Sequence, residues 1–168
     1  MPNLYPITGP WLDADLATAA CPRGNDMLAD ELRRWKDSNI EVVVSALSPE
    51  EMRGLGVLKE SELCNEIGLE YVQFSIVNRE APATIDAVGD LVDRLGGYLA
   101  AGRSVVIHCR AGIGRASLLA ACTLVRAGVD ADEAFARISL ARGVTVPDTS
   151  DQREWVRRFA GQNRSGDK

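Results

Sequence analysis

Apolar residues along the chain switch repeatedly between the spacings that distinguish strands from helices. Residues 40–47 and 104–109 carry nearly continuous apolar runs typical of buried parallel strands, and residues 70–77 alternate between apolar and polar. Helical stripes of apolar residues separate these runs, for example from Leu28 to Trp35 and from Ile85 to Leu99. Strands that alternate with helices predict an α/β fold, with a central, largely parallel sheet flanked by helices on both faces.

Capping residues set the expected helix boundaries. The first two dozen residues are predicted to be turn-rich, and Asn25 or Asp26 is expected to cap the first helix. The run from Ser48 to Glu51 matches a capping box with proline in the first turn, and Asp130 precedes another helix. The predicted helices cover about 26–37, 48–67 with a break near 54–56, 85–101, the segment from the 109–115 loop to Gly128, 131–142 and 150–160.

Length and charge narrow the function classes. The 168 residues predict one domain over 1–162, followed by a frayed polar tail at 163–168. The net charge of −5 disfavours nucleic acid and anionic lipid as partners, and no apolar run is long enough to span a membrane. The start of the chain also lacks the pattern of a secretory signal. Four scattered cysteines and one histidine disfavour a zinc site, so a reduced cytoplasmic protein without a metal is expected.

The segment from His108 to Arg115 carries the most specific chemistry in the chain. It holds Cys109, two glycines and Arg115, and lies between an apolar strand and an apolar helix. A strand, a tight glycine loop and a helix N-terminus direct amides and a partial positive charge at one point, which suits an anion. Cys109 is expected to be a thiolate near neutral pH, because helix N-termini and nearby cations favour ionised sulfur.

This segment resembles the phosphate loop of the cysteine-dependent protein tyrosine phosphatases, and the order of elements is similar to their small dual-specificity branch. The resemblance implies that Cys109 accepts the phosphoryl group, that a cysteinyl-phosphate forms, and that water hydrolyses it without a metal or other cofactor. It also implies a phosphotyrosine-containing protein or another phosphomonoester as substrate. The phosphoryl oxygens would be bound by the Arg115 side chain and the loop amides of Arg110, Ala111, Gly112, Ile113, Gly114 and Arg115.

The expected general acid is missing from its usual place. By resemblance Asn78 occupies the position of the catalytic aspartate, and an amide does not donate a proton as an acid does. Three alternatives stay open: Glu80 replaces the acid, the enzyme works without one and loses something like 10²–10⁴-fold on poor leaving groups, or the protein binds phospho-ligands with little turnover. Weak acid catalysis favours phosphotyrosine, because a phenol with a pKa near 10 leaves more readily than an aliphatic alcohol.

Other candidate residues surround this loop. His108 is predicted to hold the loop through a ring hydrogen bond. Ala116 stands where the family often has Ser or Thr, and Ser117 follows it, which suggests slow breakdown of the phospho-enzyme. Gln152 either orients the hydrolytic water or completes a capping box with Thr149, and both interpretations stay open.

Rival functions and minor roles complete the sequence-based hypotheses. A sulfurtransferase or an arsenate reductase would also use a thiolate beside an oxyanion site, and both fit the loop less well. The shortage of cations beyond Arg110 argues against phosphoinositides as substrates. For Arg23 and Arg79, a solvated surface position is a stronger interpretation than a role in adding positive charge at the rim of the site. Cys64 is a candidate redox partner that the sequence does not place, whereas Cys122 is expected to be a buried thiol.

Overall fold

The computed structural model describes residues 3–10 and 12–165. Within them a single five-stranded sheet comprises β1 (Leu4–Ile7), β2 (Leu16–Ala19), β3 (Ile40–Ser45), β4 (Glu70–Gln73) and β5 (Ser104–His108). The strand order is β1-β2-β5-β3-β4, and every pair is parallel except the antiparallel edge pair β1–β2. Strand β5 is therefore central, and its carboxyl end lies between those of β2 and β3.

Helices cover both faces of the sheet, as the sequence predicted. The described helices are α1 (Leu28–Asp37), α2 (Pro49–Gly54), α3 (Glu60–Ile67), α4 (Ile85–Ala100), α5 (Arg115–Arg126), α6 (Ala131–Arg142) and α7 (Ser150–Ser165). Val105 and Ile107 of β5 face one core, which holds α4 to α7, while Val106 faces the other core with α1 and α3. Because β3 and β5 are buried on both faces, their sequences are continuous apolar runs.

Two strands near the start of the chain are absent from the sequence-based prediction. Residues 3–24 were expected to be turn-rich, but they hold β1 and β2. Strand β2 consists mainly of small residues with little strand preference, and Pro6 interrupts the pattern of β1. Pairing with β5 makes β2 a strand, and the edge position of β1 tolerates a proline without an N–H.

Several element boundaries also differ from the prediction. The first helix begins as a 3-10 turn at Asn25–Met27, and neither Asn25 nor Asp26 caps it through a side chain. The predicted cap is wrong because Asn25 has a φ of 53° and its amide N–H instead donates to the Gly56 carbonyl oxygen at 2.8 Å. The strands predicted over 40–47, 70–77 and 104–109 end at Ser45, Gln73 and His108.

The helix starts at Ser48 and Asp130 follow the predicted local chemistry. Ser48 accepts from the Glu51 amide, the Glu51 side chain bonds back to the Ser48 amide, and Asp130 accepts from the amide of Asp132. Helix α7 continues to Ser165, beyond the predicted end at 160. The last three residues of the expected polar tail, 166–168, lie outside the described residues. No helix in the described part of the chain is both long and apolar enough to cross a membrane.

Candidate active site

The loop between β5 and α5 lies at the carboxyl edge of the sheet and is tied to the neighbouring strands. The Ala46 amide donates to the His108 carbonyl oxygen at 2.9 Å, and the Cys21 amide donates to the Arg110 carbonyl oxygen at 3.1 Å. Gly112 has a φ of 73°, and a Cβ there would lie 2.7 Å from backbone atoms of Ala19. Conformation and close packing therefore both require glycine at this position.

Cys109 lies at the base of this loop. Its side chain is 2% exposed, and the Gly112 amide donates to its Sγ at 3.3 Å. The loop that carries the sulfur leads directly into α5 at Arg115, and the dipole of a helix favours negative charge at its N-terminus. The geometry therefore presents a sulfur whose local donor and helix end both stabilise an anion.

The other cysteines lie in environments that keep them protonated. Burial is the largest cause of a pKa of about 12 for both Cys21 and Cys64, and it raises the pKa of Cys122 well above its ordinary value. Cys122 is fully buried in α5, as the sequence predicted. All four cysteines are free thiols.

Arg115 is held in a fixed orientation by an ion pair that the sequence did not reveal. Its guanidinium makes a bidentate contact with Glu51, with Nη1–Oε1 at 2.7 Å and Nη2–Oε2 at 2.9 Å. Nη1 also donates to the Ile76 carbonyl oxygen at 2.8 Å, and Nη2 donates to Asn78 Oδ1 at 3.1 Å. Arg115 is 2% exposed, so its fork is immobilised before any ligand binds.

Glu51 performs two roles with one carboxylate. Its Oε1 accepts from the Ser48 amide in the capping box, at 3.2 Å, and also from Arg115. The capping box was visible in the sequence and accounted for Glu51 completely. No local signal indicated that the same side chain reaches an arginine that follows much later in the chain.

Stability should depend on pH through this ion pair. The hydrogen bond from Arg115 holds the pKa of Glu51 below its ordinary value, although burial acts in the opposite direction. A lowered folded-state pKa means that the contribution to stability is complete above the unfolded value near 4.3 and is lost as pH falls through the folded value. At pH 7 we expect Glu51→Gln to lower the free energy of unfolding by about 1–3 kcal/mol.

Urea unfolding at several pH values measures this effect. The difference between wild type and Glu51→Gln should shrink as pH falls below about 4, where wild type also loses the charge. Glu50→Gln, on the exposed side of the same turn, should leave stability nearly unchanged at each pH. If the loss of unfolding free energy in Glu51→Gln stayed the same below about pH 4, its assignment to the ion pair would be contradicted.

His108 contacts a second carboxylate that the sequence did not indicate. Its Nε2 lies 2.6 Å from Glu60 Oε1, both side chains are completely buried, and the Trp35 ring packs against the imidazole at 5.8 Å between centroids. The other ring nitrogen, Nδ1, lies 3.4 Å from the Cys109 carbonyl oxygen. The ring therefore connects helix α3 to the base of the loop, and its predicted role in holding the loop stays a proposal.

Asn78 and Glu80 both lie beside the site, in different ways. The Asn78 amide oxygen accepts from Arg115, which places position 78 against the arginine fork. The Glu80 side chain is exposed, and only its backbone carbonyl is tied to the site, by accepting from Gln152 Nε2 at 3.2 Å. Neither arrangement tests the acid role that the sequence left open.

Gln152 is the buried member of a capping box. Its amide donates to Thr149 Oγ1 at 3.1 Å, and its Oε1 accepts from the Thr149 amide at 3.2 Å. Its Nε2 also lies near the loop, because a Cβ added at Gly114 would be 3.0 Å from it. The capping interpretation is confirmed, and the water-orienting role stays a proposal.

The remaining predicted positions lie around the loop. Ser117 is buried in α5, and its hydroxyl has no hydrogen-bond partner among the described residues. Arg110 is exposed, and the Ala111 carbonyl oxygen accepts from Arg142 Nη2 at 3.3 Å. Arg23 pairs with Glu31 at 2.6 Å, which accounts for its charge.

Comparison with known proteins gives a family match over most of the sheet and the loop. Residues 17–129 match the family described as "Tc-R-P: Polymorphic toxin system, DSP-PTPase phosphatase". The chain is also 32% identical over 123 residues to effector protein hopD2 of Pseudomonas syringae pv. tomato. That match covers 67% of this chain and 26% of hopD2, so the chain aligns with about a quarter of its curated relative.

Solved structures share the fold. The structure of kinase associated phosphatase (KAP) with its catalytic-site cysteine replaced by serine aligns with a TM-score of 0.87 at 18% identity, over 97% of this chain and 96% of that chain. The structure of PTPMT1 aligns with a TM-score of 0.80 at 23% identity, over 98% of both chains. At these identities the likeness concerns the arrangement of the backbone.

Proposed function

The chain belongs to the DSP-PTPase phosphatase family of polymorphic toxin systems, and we propose that it is a cysteine-based phosphatase that acts on phosphotyrosine or a similar aryl phosphomonoester. The observation that supports this best is the juxtaposition at one loop of a buried sulfur and a fixed arginine fork. Gly112 donates to Cys109 Sγ, and Arg115 begins the helix that follows the loop. A nucleophile and an oxyanion binder are therefore organised before substrate arrives.

In the proposed reaction Cys109 Sγ attacks phosphorus. The sulfur–phosphorus bond forms as the bond to the leaving oxygen breaks, and water later cleaves the cysteinyl-phosphate to release phosphate and restore the thiolate. The loop amides and Arg115 stabilise the negative charge on the phosphoryl oxygens. Glu51 keeps the guanidinium oriented, so little reorganisation is needed as the charge is redistributed.

Leaving-group chemistry supports the preference for aryl substrates. Position 78 carries an amide that is engaged by Arg115, so this position supplies no proton to a departing oxygen. A phenolate with a pKa near 10 departs without full protonation more easily than an alkoxide. We therefore infer that phosphotyrosine is a better substrate than phosphoserine or phosphothreonine.

Water activation and cellular setting complete the proposal. We propose that Gln152, whose Nε2 lies near Gly114, orients the hydrolytic water, and that Ala116, which lacks the hydroxyl the family often has at this position, slows this step. We propose a cytoplasmic setting, because a nucleophilic thiolate requires reducing conditions. The substrate would be a phosphotyrosine-containing protein, and neither nucleic acid nor a membrane is proposed as a partner.

A rapid-mixing experiment tests the function. With an activated aryl phosphate the protein should release about one equivalent of phenol per chain in a burst and then turn over steadily, and acid quenching should trap phosphate on Cys109. With peptides of matched sequence, kcat/KM for phosphotyrosine should exceed that for phosphoserine by about tenfold or more. Tight binding of the phosphotyrosine peptide with neither burst nor turnover would instead identify a phospho-binding module.

A further inference from the structure

A carboxylate outside the predicted acid loop lies directly beside the phosphate loop. A Cβ built on Gly114 would lie 2.4 Å from Asp148 Oδ2 and 3.1 Å from Asp148 Cγ. The carboxylate thus rests against the residue that immediately precedes Arg115, in space that only glycine leaves open. No motif in the sequence marks Asp148 as a functional residue.

The segment that carries Asp148 is anchored on both sides. On the N-terminal side Val146 is fully buried, its amide donates to Ser139 Oγ at 3.1 Å, and its carbonyl oxygen accepts from Arg153 Nη2 at 3.0 Å. On the C-terminal side the reciprocal bonds between Thr149 and Gln152 fix the start of α7. Asp148 is therefore held beside the loop by α6 and α7.

The Asp148 side chain itself is available for proton transfer. Asp148 is exposed to solvent, and its carboxylate has no hydrogen-bond or ion-pair partner among the described residues. The carboxylates of Glu51 and Glu60 differ from that of Asp148, because Glu51 pairs with Arg115 and Glu60 pairs with His108. A carboxylate that reaches the site and is not consumed by a structural contact is suited to donate and accept protons.

The two acid candidates from the sequence are less well placed. Asn78 has an amide, and its oxygen is occupied by Arg115. Glu80 touches the site through its backbone carbonyl, while its side chain is exposed. A poor leaving group therefore needs a proton from another residue, and Asp148 is a carboxylate that contacts the loop without a structural partner among the described residues.

We propose that Asp148 is the general acid of the first step and the general base of the second, an inference that rests on the phosphatase function proposed above. As the bond from Cys109 Sγ to phosphorus forms, protonated Asp148 gives its proton to the leaving oxygen, so the alcohol departs neutral. The resulting carboxylate then takes a proton from the water that attacks the cysteinyl-phosphate. The sulfur–phosphorus bond breaks, and both the thiolate and protonated Asp148 are restored.

The decisive measurement is how the leaving group changes the effect of Asp148→Asn. For a phosphoserine peptide, kcat/KM should fall by about 10²-fold, because an alkoxide needs the proton. For an activated aryl phosphate, whose phenolate leaves unaided, kcat/KM should change less than about threefold. Asp148→Glu keeps the carboxyl group and should recover part of the loss with the phosphoserine peptide.

Matched variants separate this proposal from its rivals. Asp151→Asn removes an exposed carboxylate from the same helix start, and Glu80→Gln removes the alternative acid, so both should leave the two activities nearly unchanged. A leaving-group-dependent loss in Glu80→Gln, or equal effects of Asp148→Asn on both substrates, would overturn the assignment to Asp148. Wild type that fails to hydrolyse the activated aryl phosphate would instead refute the phosphatase function itself, because that substrate needs no acid.

Discussion

Cys109→Ser is expected to lower kcat for an aryl phosphate by roughly 10⁴-fold or more, with little loss of affinity for the phosphorylated ligand. The sulfur is the atom that attacks phosphorus in the proposed mechanism, and a serine hydroxyl stays protonated where a thiol ionises. The Gly112 amide and the α5 N-terminus would still bind the phosphoryl oxygens. Turnover and binding should therefore separate in this variant.

Stopped-flow turnover and calorimetric binding of a phosphotyrosine peptide measure the two quantities. Cys21→Ser is the matched control, because Cys21 is bonded to the loop through its backbone amide while burial raises the pKa of its thiol to about 12. It should retain activity near that of wild type. If Cys109→Ser kept a tenth of the wild-type kcat, a different nucleophile would have to be sought.

Arg115→Lys carries the second largest expected effect, a fall in kcat/KM of about 10³-fold. The Arg115 fork contacts Glu51 in a bidentate manner and is also held by the carbonyl of Ile76 and the amide of Asn78. A lysine ammonium keeps the charge, but it is a point donor without planar geometry. The loss would thus come from orientation rather than from net charge.

The control for this variant lies on the same helix. Arg126, at the far end of α5, pairs with Asp93 at 3.2 Å, and Arg126→Lys should leave kcat/KM nearly unchanged. Thermal unfolding of both variants shows whether the fold survives, and binding of inorganic phosphate reports on the loop without chemistry. An Arg115→Lys enzyme that was folded and retained more than a tenth of wild-type kcat/KM would contradict the assigned role.

Local sequence patterns predicted many of the helices and strands. The capping box at Ser48, the cap at Asp130 and the buried runs of β3 and β5 depend on contacts within a few residues or on burial of a whole segment. The strands β1 and β2 escaped prediction because their conformation depends on pairing with a neighbour rather than on their own residues. The predicted cap at Asn25 was wrong for a related reason, because the Asn25 amide donates to the carbonyl oxygen of Gly56, which is distant in sequence.

The same distinction between local and tertiary contacts applies to the active site. The loop from Cys109 to Arg115 was recognisable in the sequence, because a strand, a glycine turn and a helix start build an anion site from adjacent residues. Which carboxylates approach that loop was decided by the tertiary structure alone: Glu51 comes from α2, Glu60 from α3 and Asp148 from the connection between α6 and α7. These side chains are remote in sequence, and only the order of parallel strands and the packing of helices on both sheet faces brings them to the carboxyl end of β5.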